Sequence, residues 1–427
     1  MKYGFVAIAL PGALVAVSHS EVAFAHDPTE EGNFFRARNA SVMGRSRPDF
    51  KSEGVQTGAW IWDPELTVGV DFNDNIFAAP ASEESDTIWV INPTLDVETT
   101  WSRHGIQGHL YGLNREYSDF SDESTWTTDM GLSGHVDITR SVLFEAGFGA
   151  AELVESRTAA GVASIAAKPV EYDTSNWFVG GQADFGRTRL LLRADKADYD
   201  FDDAELIGGG FADQDFRDRE ETIFTVRGDY AISPFTSIFA RYRKNERDYD
   251  LAPPAIASNR DSDGYMLDVG ADFDIGGTAR GVIGIGYNEQ TYDDPAQGKL
   301  DGWGLDGLIE WYPTQLTTVT VRAARFIEDA PFEASGGFTS ETVAARVDHE
   351  LLRNLVLSAE IERSEHDFLG IDRVDERWTA SAGATWFVNR NVGVEASFTR
   401  MDQESTGAFP GQDFEQDILA LRLVLRP

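Results

Sequence analysis

The sequence contains no cysteine. This absence excludes disulfide bonds, thiolate metal sites and a lipoprotein anchor, which is built on an N-terminal cysteine. The sequence also has no run of about 18 apolar residues, the length that a membrane-spanning helix requires. A helical membrane protein is therefore excluded. The mean hydropathy of −0.30 does not exclude a membrane β-barrel, because half of each barrel strand faces a polar lumen.

Positive charge is scarce, with 36 Lys and Arg residues against 72 Asp and Glu residues and a formal net charge of −36. This balance argues against a nucleic-acid partner, because phosphate contacts require a basic surface. Two interpretations of the acidic excess stay open. The acids stand in solvated loops, or the surface and lumen favour cations.

The first 25 residues have the pattern of a secretory signal peptide. Lys2 supplies the positive start, an apolar stretch follows, and Ala23-Phe24-Ala25 forms an A-x-A cleavage site. The mature chain is expected to begin near His26. Residues 26–63 are expected to form a periplasmic leader, which is either disordered or an arm that docks on a partner. This leader carries five bases: Arg36, Arg38, Arg45, Arg47 and Lys51.

From residue 64 to residue 427 the sequence alternates apolar and polar residues in short segments. In Trp378 to Trp386, one set of alternate positions reads Trp, Ala, Ala, Ala, Trp, and the other reads Thr, Ser, Gly, Thr. Successive side chains of a strand point to opposite faces. An apolar face with aromatic ends is typical of a strand that contacts lipid. The pattern predicts an all-β protein, a transmembrane antiparallel β-barrel of about 18 strands in the bacterial outer membrane.

The breaks between segments place the strands. They are predicted near 64–72, 87–100, 104–117, 126–138, 142–155, 175–185, 188–200, 219–232, 236–249, 262–275, 279–292, 302–312, 317–328, 339–350, 355–367, 374–388, 392–402 and 413–425. Short and long connections alternate, which is the expected difference between periplasmic turns and outer loops.

Aromatic residues recur where strands end. Tyr117, Tyr199, Tyr249 and Tyr292 are each followed closely by an acid, which predicts aromatic side chains at the lipid headgroups. Trp101, Phe185, Phe273, Trp311 and Trp386 are predicted at the opposite edge of the membrane.

The sequence carries no enzyme motif: it has no H-E-x-x-H, no P-loop and no nucleophile elbow. The histidines are scattered over separate predicted strands. We therefore expect no catalytic residues, no cofactor and no resident metal. The acidic stretch from Asp198 to Glu221 offers carboxylates that Ca²⁺ could use, but it lacks EF-hand spacing, so solvated acids are the favoured interpretation.

Alternation also assigns residues to the inward face of the barrel. On the predicted strands from 188 to 249 the inward positions are basic, and on the next three strands they are acidic. These candidate pore-lining residues are Arg189, Arg193, Arg227, Arg241, Arg243, Asp268, Asp272, Asp306 and Glu310. Either they form salt bridges that hold the wall together, or they set up a transverse field across a water-filled channel.

The chain resembles the putative β-barrel porin 2 family of bacterial outer-membrane proteins from about Arg47 to Leu425. The segments that carry the resemblance are Arg47-Pro48-Asp49-Phe50, the stretches Pro64 to Ala78, Ser85 to Ile88 and Pro93 to Leu95, and the run Val347 to Leu355. The resemblance implies an outer-membrane location and an association with exopolysaccharide secretion. The C-terminus, Arg426-Pro427, lacks the terminal aromatic residue of many such proteins.

The leading functional expectation is an exit pore for a secreted exopolysaccharide, with a periplasmic export protein as a partner. The alternatives are a general diffusion porin for small hydrophilic solutes and a plugged barrel with a structural or surface role. The loop predicted at 156–174 is unusually apolar, with the run Ala159 to Ala167, so it either folds into the lumen or covers the rim.

Overall fold

A computed structural model describes residues 40–160, 166–253, 256 and 258–427. It forms a closed antiparallel β-barrel of 18 strands. The strands, β1 to β18 in chain order, are Trp60–Asn73, Asp86–Thr99, His104–Tyr117, Thr125–Asp137, Val142–Val154, Glu171–Phe185, Thr188–Phe201, Arg219–Ser233, Thr236–Tyr249, Ser262–Ile275, Ala279–Tyr292, Lys299–Thr314, Thr317–Asp329, Gly337–Leu352, Leu355–Phe368, Val374–Phe387, Val392–Thr406 and Phe414–Leu425.

Each strand pairs with the next, and β18 closes the ring on β1. The closing register runs from Leu66 opposite Leu425 to Asn73 opposite Ile418. Outside the barrel strands, Val55–Thr57 folds back on the start of β1, and Ala204–Glu205 pairs with Phe211–Ala212 in the loop after β7. Two short 3₁₀ turns among the described residues are Ser121–Glu123 and Asp215–Arg217. No helix of the described residues is long and apolar enough to cross a membrane.

Alternation sets the two faces of every strand. On β16, Trp378 and Trp386 are 46% and 47% exposed on the outer face, whereas Asp375 and Thr379 are buried on the inner face. A strand with these two faces is stable only with lipid outside and polar partners inside. The barrel therefore has an apolar exterior and a polar interior.

The connections divide the barrel into two ends. Turns of two to four residues, such as 186–187, 234–235 and 353–354, lie at one end, here called the short-turn end. Longer connections, such as 74–85, 155–170, 202–218 and 250–261, lie at the other, here called the long-loop end. Both the described N-terminal segment and Pro427 lie at the short-turn end. That this end faces the periplasm remains a prediction.

The predicted strands agree with the observed ones to within four residues at each boundary. The largest differences are at β1, which begins at Trp60, at β6, which begins at Glu171, and at β17, which ends at Thr406. In β6 and β17 the added residues are mostly polar, so the ladder extends beyond the apolar belt and alternation gives no boundary. The predicted signal peptide, residues 1–25, and leader residues 26–39 lie outside the described residues.

Two girdles of exposed aromatic side chains surround the barrel. Near the short-turn end, Trp101, Phe185, Trp311 and Trp386 are exposed, as predicted. Near the long-loop end the exposed aromatics include Trp89, Trp126, Trp177, Phe224, Tyr242, Tyr287, Trp303 and Trp378. The prediction that Tyr199, Tyr249 and Tyr292 contact headgroups is wrong. All three are buried on the inner face, because each shares its strand's inward positions.

Candidate pore and its two ends

The inner wall contains a buried ion-pair cluster centred on Arg227 of β8. Its Nη2 lies 2.8 Å from Asp229 Oδ1 and 2.7 Å from Asp272 Oδ2. The guanidinium lies 4.0 Å from the centroid of the Phe239 ring. Arg227 and Asp272 are both 0% exposed. One guanidinium thus joins carboxylates from β8 and β10, so the cluster bridges these two strands across β9.

Glycines make room for this cluster. A Cβ at Gly270 would overlap the Phe239 ring, and a Cβ at Gly284 would lie 2.8 Å from Asp268 Oδ2. Because glycine has no side chain, the ring and the carboxylate can lie flat against the neighbouring strands. The wall at this point is packed like a protein core rather than lined by extended side chains.

A second ion-pair cluster lies beside the first and uses three of the predicted residues. Arg241 Nε lies 3.1 Å from Asp268 Oδ1, and Arg241 Nη2 lies 2.8 Å from Asp306 Oδ2. These contacts join β9, β10 and β12. The basic and acidic positions that the sequence assigned to neighbouring strands therefore contact each other directly.

The other predicted wall residues also face inward and have partners. Arg189 Nε lies 2.7 Å from Asp184 Oδ1, and Arg193 Nε lies 2.7 Å from Asp195 Oδ1. Arg243 Nη2 lies 2.9 Å from the sulfur of Met266. Glu310 is ion-paired with Arg280 and accepts a hydrogen bond from the Tyr312 hydroxyl at 2.5 Å. Paired charges largely cancel beyond a few ångströms. A pore-lining role for the nine residues remains a prediction.

The long-loop end of the lumen is filled by what we call the arginine–tyrosine cluster. Its members come from the long-loop ends of β7, β8, β9, β11 and β13 and from three loops: Arg217, Arg219, Arg247, Arg260, Glu155, Glu221, Asp329, Tyr199, Tyr249 and Tyr292. Asp329 is the shared acceptor: Arg247 Nη1 lies 2.6 Å from its Oδ1, and Tyr249 donates to its Oδ2 at 2.8 Å.

The loop after β5 enters the lumen and reaches the opposite wall. Arg373 Nη2 donates to the main-chain oxygen of Ala160 at 3.2 Å, and Arg377 donates to that of Thr158. Arg373 and Arg377 belong to the turn before β16 and to β16 itself, far from β5 around the ring. Ala160 packs on the apolar group of Ala330, Phe338 and Phe368. Of the two predicted positions of this loop, the lumen is the one observed for its described residues.

Residues 40–53 dock on the short-turn end. Val42 is 0% exposed, and its amide donates to Thr318 Oγ1 at 2.8 Å. Arg45 Nη1 and Arg47 Nη2 lie 3.0 and 3.4 Å from Glu350 Oε2. Arg47 also lies 5.3 Å from the centroid of the Phe387 ring. Two sequence segments that carry the family resemblance, Arg47 to Phe50 and Val347 to Leu355, therefore contact each other.

Replacing Glu350 should release this N-terminal segment. Arg45 and Arg47 have no other carboxylate partner among the described residues. In Glu350→Ala we expect trypsin to cleave after Arg45 or Lys51 up to roughly fivefold faster, since the two ion pairs together contribute up to about 1 kcal/mol. Glu341→Ala, which removes an outward-facing pair with Arg325, is the control. Equal cleavage rates in the two variants would show that the ion pairs do not hold the segment.

The acidic loop after β7 brings three exposed carboxylates together. Single oxygens of Asp203, Asp213 and Asp215 lie within 4.8 Å of one another. Repulsion by Asp213 is the main cause that raises the pKa of Asp215. Partial burial raises the pKa of Asp218 to about 6, against the hydrogen bond that its carboxylate accepts from the Phe201 amide. These carboxylates lie in the stretch from Asp198 to Glu221, in which the sequence favoured solvated acids.

Sequence reasoning missed the arginine–tyrosine cluster, although part of its signal was present. Arg219 shares alternate positions with Arg227, and Arg247 shares them with Arg241. The same rule that placed Arg227 and Arg241 inside therefore applies to both. Arg217 and Arg260 lie in loops, where alternation does not apply, so nothing in the sequence indicated their positions.

A closed barrel with an apolar belt, two aromatic girdles and a charged interior is the fold of an outer-membrane channel. A family model described as "Putative beta-barrel porin 2" matches residues 47–427, and the chain belongs to this family. It is an outer-membrane β-barrel with the architecture of a porin, located in the bacterial outer membrane. No curated protein matches the chain.

Solved outer-membrane proteins are similar to it in fold. OccK2 (OpdF) of Pseudomonas aeruginosa, solved in complex with glucuronate, is 11% identical with a TM-score of 0.45, covering 86% of this chain and 98% of that one. A BenF-like porin from Pseudomonas fluorescens Pf-5 is 10% identical with a TM-score of 0.46, covering 86% and 99%. OpdK of Pseudomonas aeruginosa with vanillate is 12% identical with a TM-score of 0.46, covering 87% and 99%.

Proposed function

We propose that the chain is a passive diffusion channel for small hydrophilic solutes across the outer membrane. The observation that carries this proposal is the β5–β6 loop, which reaches from β5 to Arg373 and Arg377 on the far wall. A loop across the lumen divides the passage and admits small solutes more readily than a threaded polymer. The charged inner wall supports passage of hydrated solutes, because polar groups replace their water contacts.

The exopolysaccharide exit pore gains no support from the described residues or from the comparisons. A polymer exit needs an open lumen, yet the β5–β6 loop crosses the lumen near the long-loop end, and residues 40–53 dock at the short-turn end. The bases expected to meet an export partner include Arg45 and Arg47, which instead pair with Glu350 of the same chain. We propose no periplasmic export partner and no catalytic activity.

The test is conductance of the purified barrel in planar bilayers, together with uptake of small sugars by vesicles that contain it. We expect stepwise ion currents, and we expect larger steps when residues 157–168 are deleted, because the loop narrows the lumen. Deletion of residues 294–297 in the connection between β11 and β12, which leaves Asp293 and Gly298 to join the strands, is the control for a shortened connection.

Three outcomes separate the functional classes. Currents that increase on loop deletion support the diffusion channel. No current from the intact barrel and none from the loop deletion would favour a plugged structural barrel. A strain that lacks this chain and keeps normal sugar uptake but loses its surface polysaccharide would favour the exit pore instead.

A further inference from the structure

Arg260 is a buried guanidinium that forms no ion pair with a carboxylate among the described residues. It is 2% exposed and lies in the loop between β9 and β10. Its Nη1 donates to the main-chain oxygen of Phe216 at 3.4 Å, and its Nη2 donates to that of Ala330. The guanidinium stacks 4.6 Å from the centroid of the Tyr249 ring. Neutral oxygens and a ring face stabilise the charge only in part, because a buried charge normally requires an opposite one.

The other arginines of the arginine–tyrosine cluster do not leave a carboxylate free for Arg260. Arg217 holds Glu155 with two contacts of 2.5 and 3.1 Å. Arg247 and Arg219 share Asp329, and Arg247 also contacts Glu221. Four guanidiniums thus share three carboxylates, and one positive charge has no counterpart within the cluster.

One N–H donor of this cluster also has no acceptor. Nε of Arg260 is buried and makes no hydrogen bond within the described part of the chain. Nε of Arg219 lies 3.3 Å from Asp329 Oδ2 in an ion pair, without the geometry of a hydrogen bond. A buried donor without an acceptor is destabilising, and nearly all such groups in folded proteins are satisfied by protein, water or ligand. The missing partner must therefore supply lone pairs.

Arg260 and Arg219 both line a cavity in the lumen at the long-loop end. The cavity has a volume of about 80 Å³. A water molecule occupies about 30 Å³ of the liquid, so the space fits a group of a few heavy atoms. Its wall combines charge and apolar surface: Arg217, Arg219, Arg260, Glu155, Asp329, Tyr172, Tyr199, Tyr249, Phe201, Phe338 and His366 are among the lining residues.

We propose that this cavity is a binding site for a small carboxylate, the size of acetate or propionate, held by Arg260 and Arg219. A carboxylate supplies the missing negative charge and two acceptor oxygens, and its short alkyl part can contact apolar lining residues such as Phe201 and Phe338. A cation would add to the unmatched positive charge. A neutral hydroxyl compound would leave that charge unmatched. As an account of which solutes the channel carries, this inference rests on the proposed function. Binding of a carboxylate in the cavity does not itself require that the barrel conducts.

The test is saturation-transfer NMR on the folded barrel in detergent, with sodium acetate, sodium propionate, sodium phosphate and tetramethylammonium chloride as separate probes. We expect acetate and propionate to bind with dissociation constants on the order of 1 mM, and tetramethylammonium not to bind. In Arg260→Gln the affinity should fall at least about tenfold, since the charged hydrogen bonds are lost. Arg260→Lys keeps the charge but not the planar fork, so it should bind with intermediate affinity.

Arg363→Gln is the matched control, because Arg363 lies on the outward face and pairs with Glu365 and Glu376 away from the cavity. It should leave acetate affinity unchanged. The shift in electrophoretic mobility on heating confirms that each variant is folded. Binding of phosphate alone would overturn the carboxylate assignment, and absence of binding by every anion would mean that water satisfies the Nε donor of Arg260. Ion conductance, measured separately, tests the channel proposal and does not affect either result.

Discussion

Ala382→Arg is expected to block or strongly slow barrel assembly, whereas Ser381→Arg should assemble almost normally. Ala382 is exposed on the outer face of β16, four residues from Trp378 and four from Trp386. These two side chains mark the girdles, so Ala382 lies near the middle of the apolar belt. An arginine at the bilayer midplane of such a barrel costs about 2–4 kcal/mol.

The neighbouring position provides the control for this charge. Ser381 faces inward and lies directly opposite Glu360 of β15, so an arginine there meets a carboxylate and a polar interior. The measurement is the fraction of protein that shows the heat-dependent mobility of a folded barrel, followed over time after dilution into lipid vesicles. Equal folded fractions for Ala382→Arg and Ser381→Arg would contradict the assignment of faces on β16.

The strands could be predicted because their alternation is continuous and each of them has a lipid face. Because each strand must present an apolar face to lipid, a shift of its pairing register by one residue would turn every side chain to the wrong face. The same argument applied consistently would have placed the strand-end tyrosines correctly. Tyr199 is six positions from Arg193 on β7, an even number, so both side chains point to the same face of the strand. The prediction of headgroup contacts rests on an aromatic residue followed by an acid, and it does not use this parity.

The contacts that shape the two ends could not be predicted. Arg45 and Glu350 are 305 positions apart, and Arg373 reaches Ala160 over 213 positions. Such contacts depend on the ring closing and on loops folding inward, and neither follows from local periodicity. The same limit applied to Arg260, whose loop has no repeating pattern. Residue types indicated a charged interior, but only the closed barrel determined which charges pair.

Arg227→Gln is expected to lower the free energy of unfolding by about 3–5 kcal/mol, because it removes the buried guanidinium that Asp229 and Asp272 share. Arg363→Gln removes an exposed outward pair and should cost less than about 1 kcal/mol. The measurement is urea unfolding in lipid vesicles at pH 7, followed by tryptophan fluorescence. Similar losses in both variants would contradict the burial argument.

A triple variant separates charge from packing at the same site. Arg227→Met combined with Asp229→Asn and Asp272→Asn removes all three charges, so most of the stability lost in Arg227→Gln should return. Arg227 is 0% exposed and cannot contact a passing solute, so none of these changes should alter the ratio of cation to anion permeability in planar bilayers. A changed ratio would favour the transverse-field role for this residue. An unchanged ratio with a large loss of stability would assign Arg227, Asp229 and Asp272 to holding the wall together.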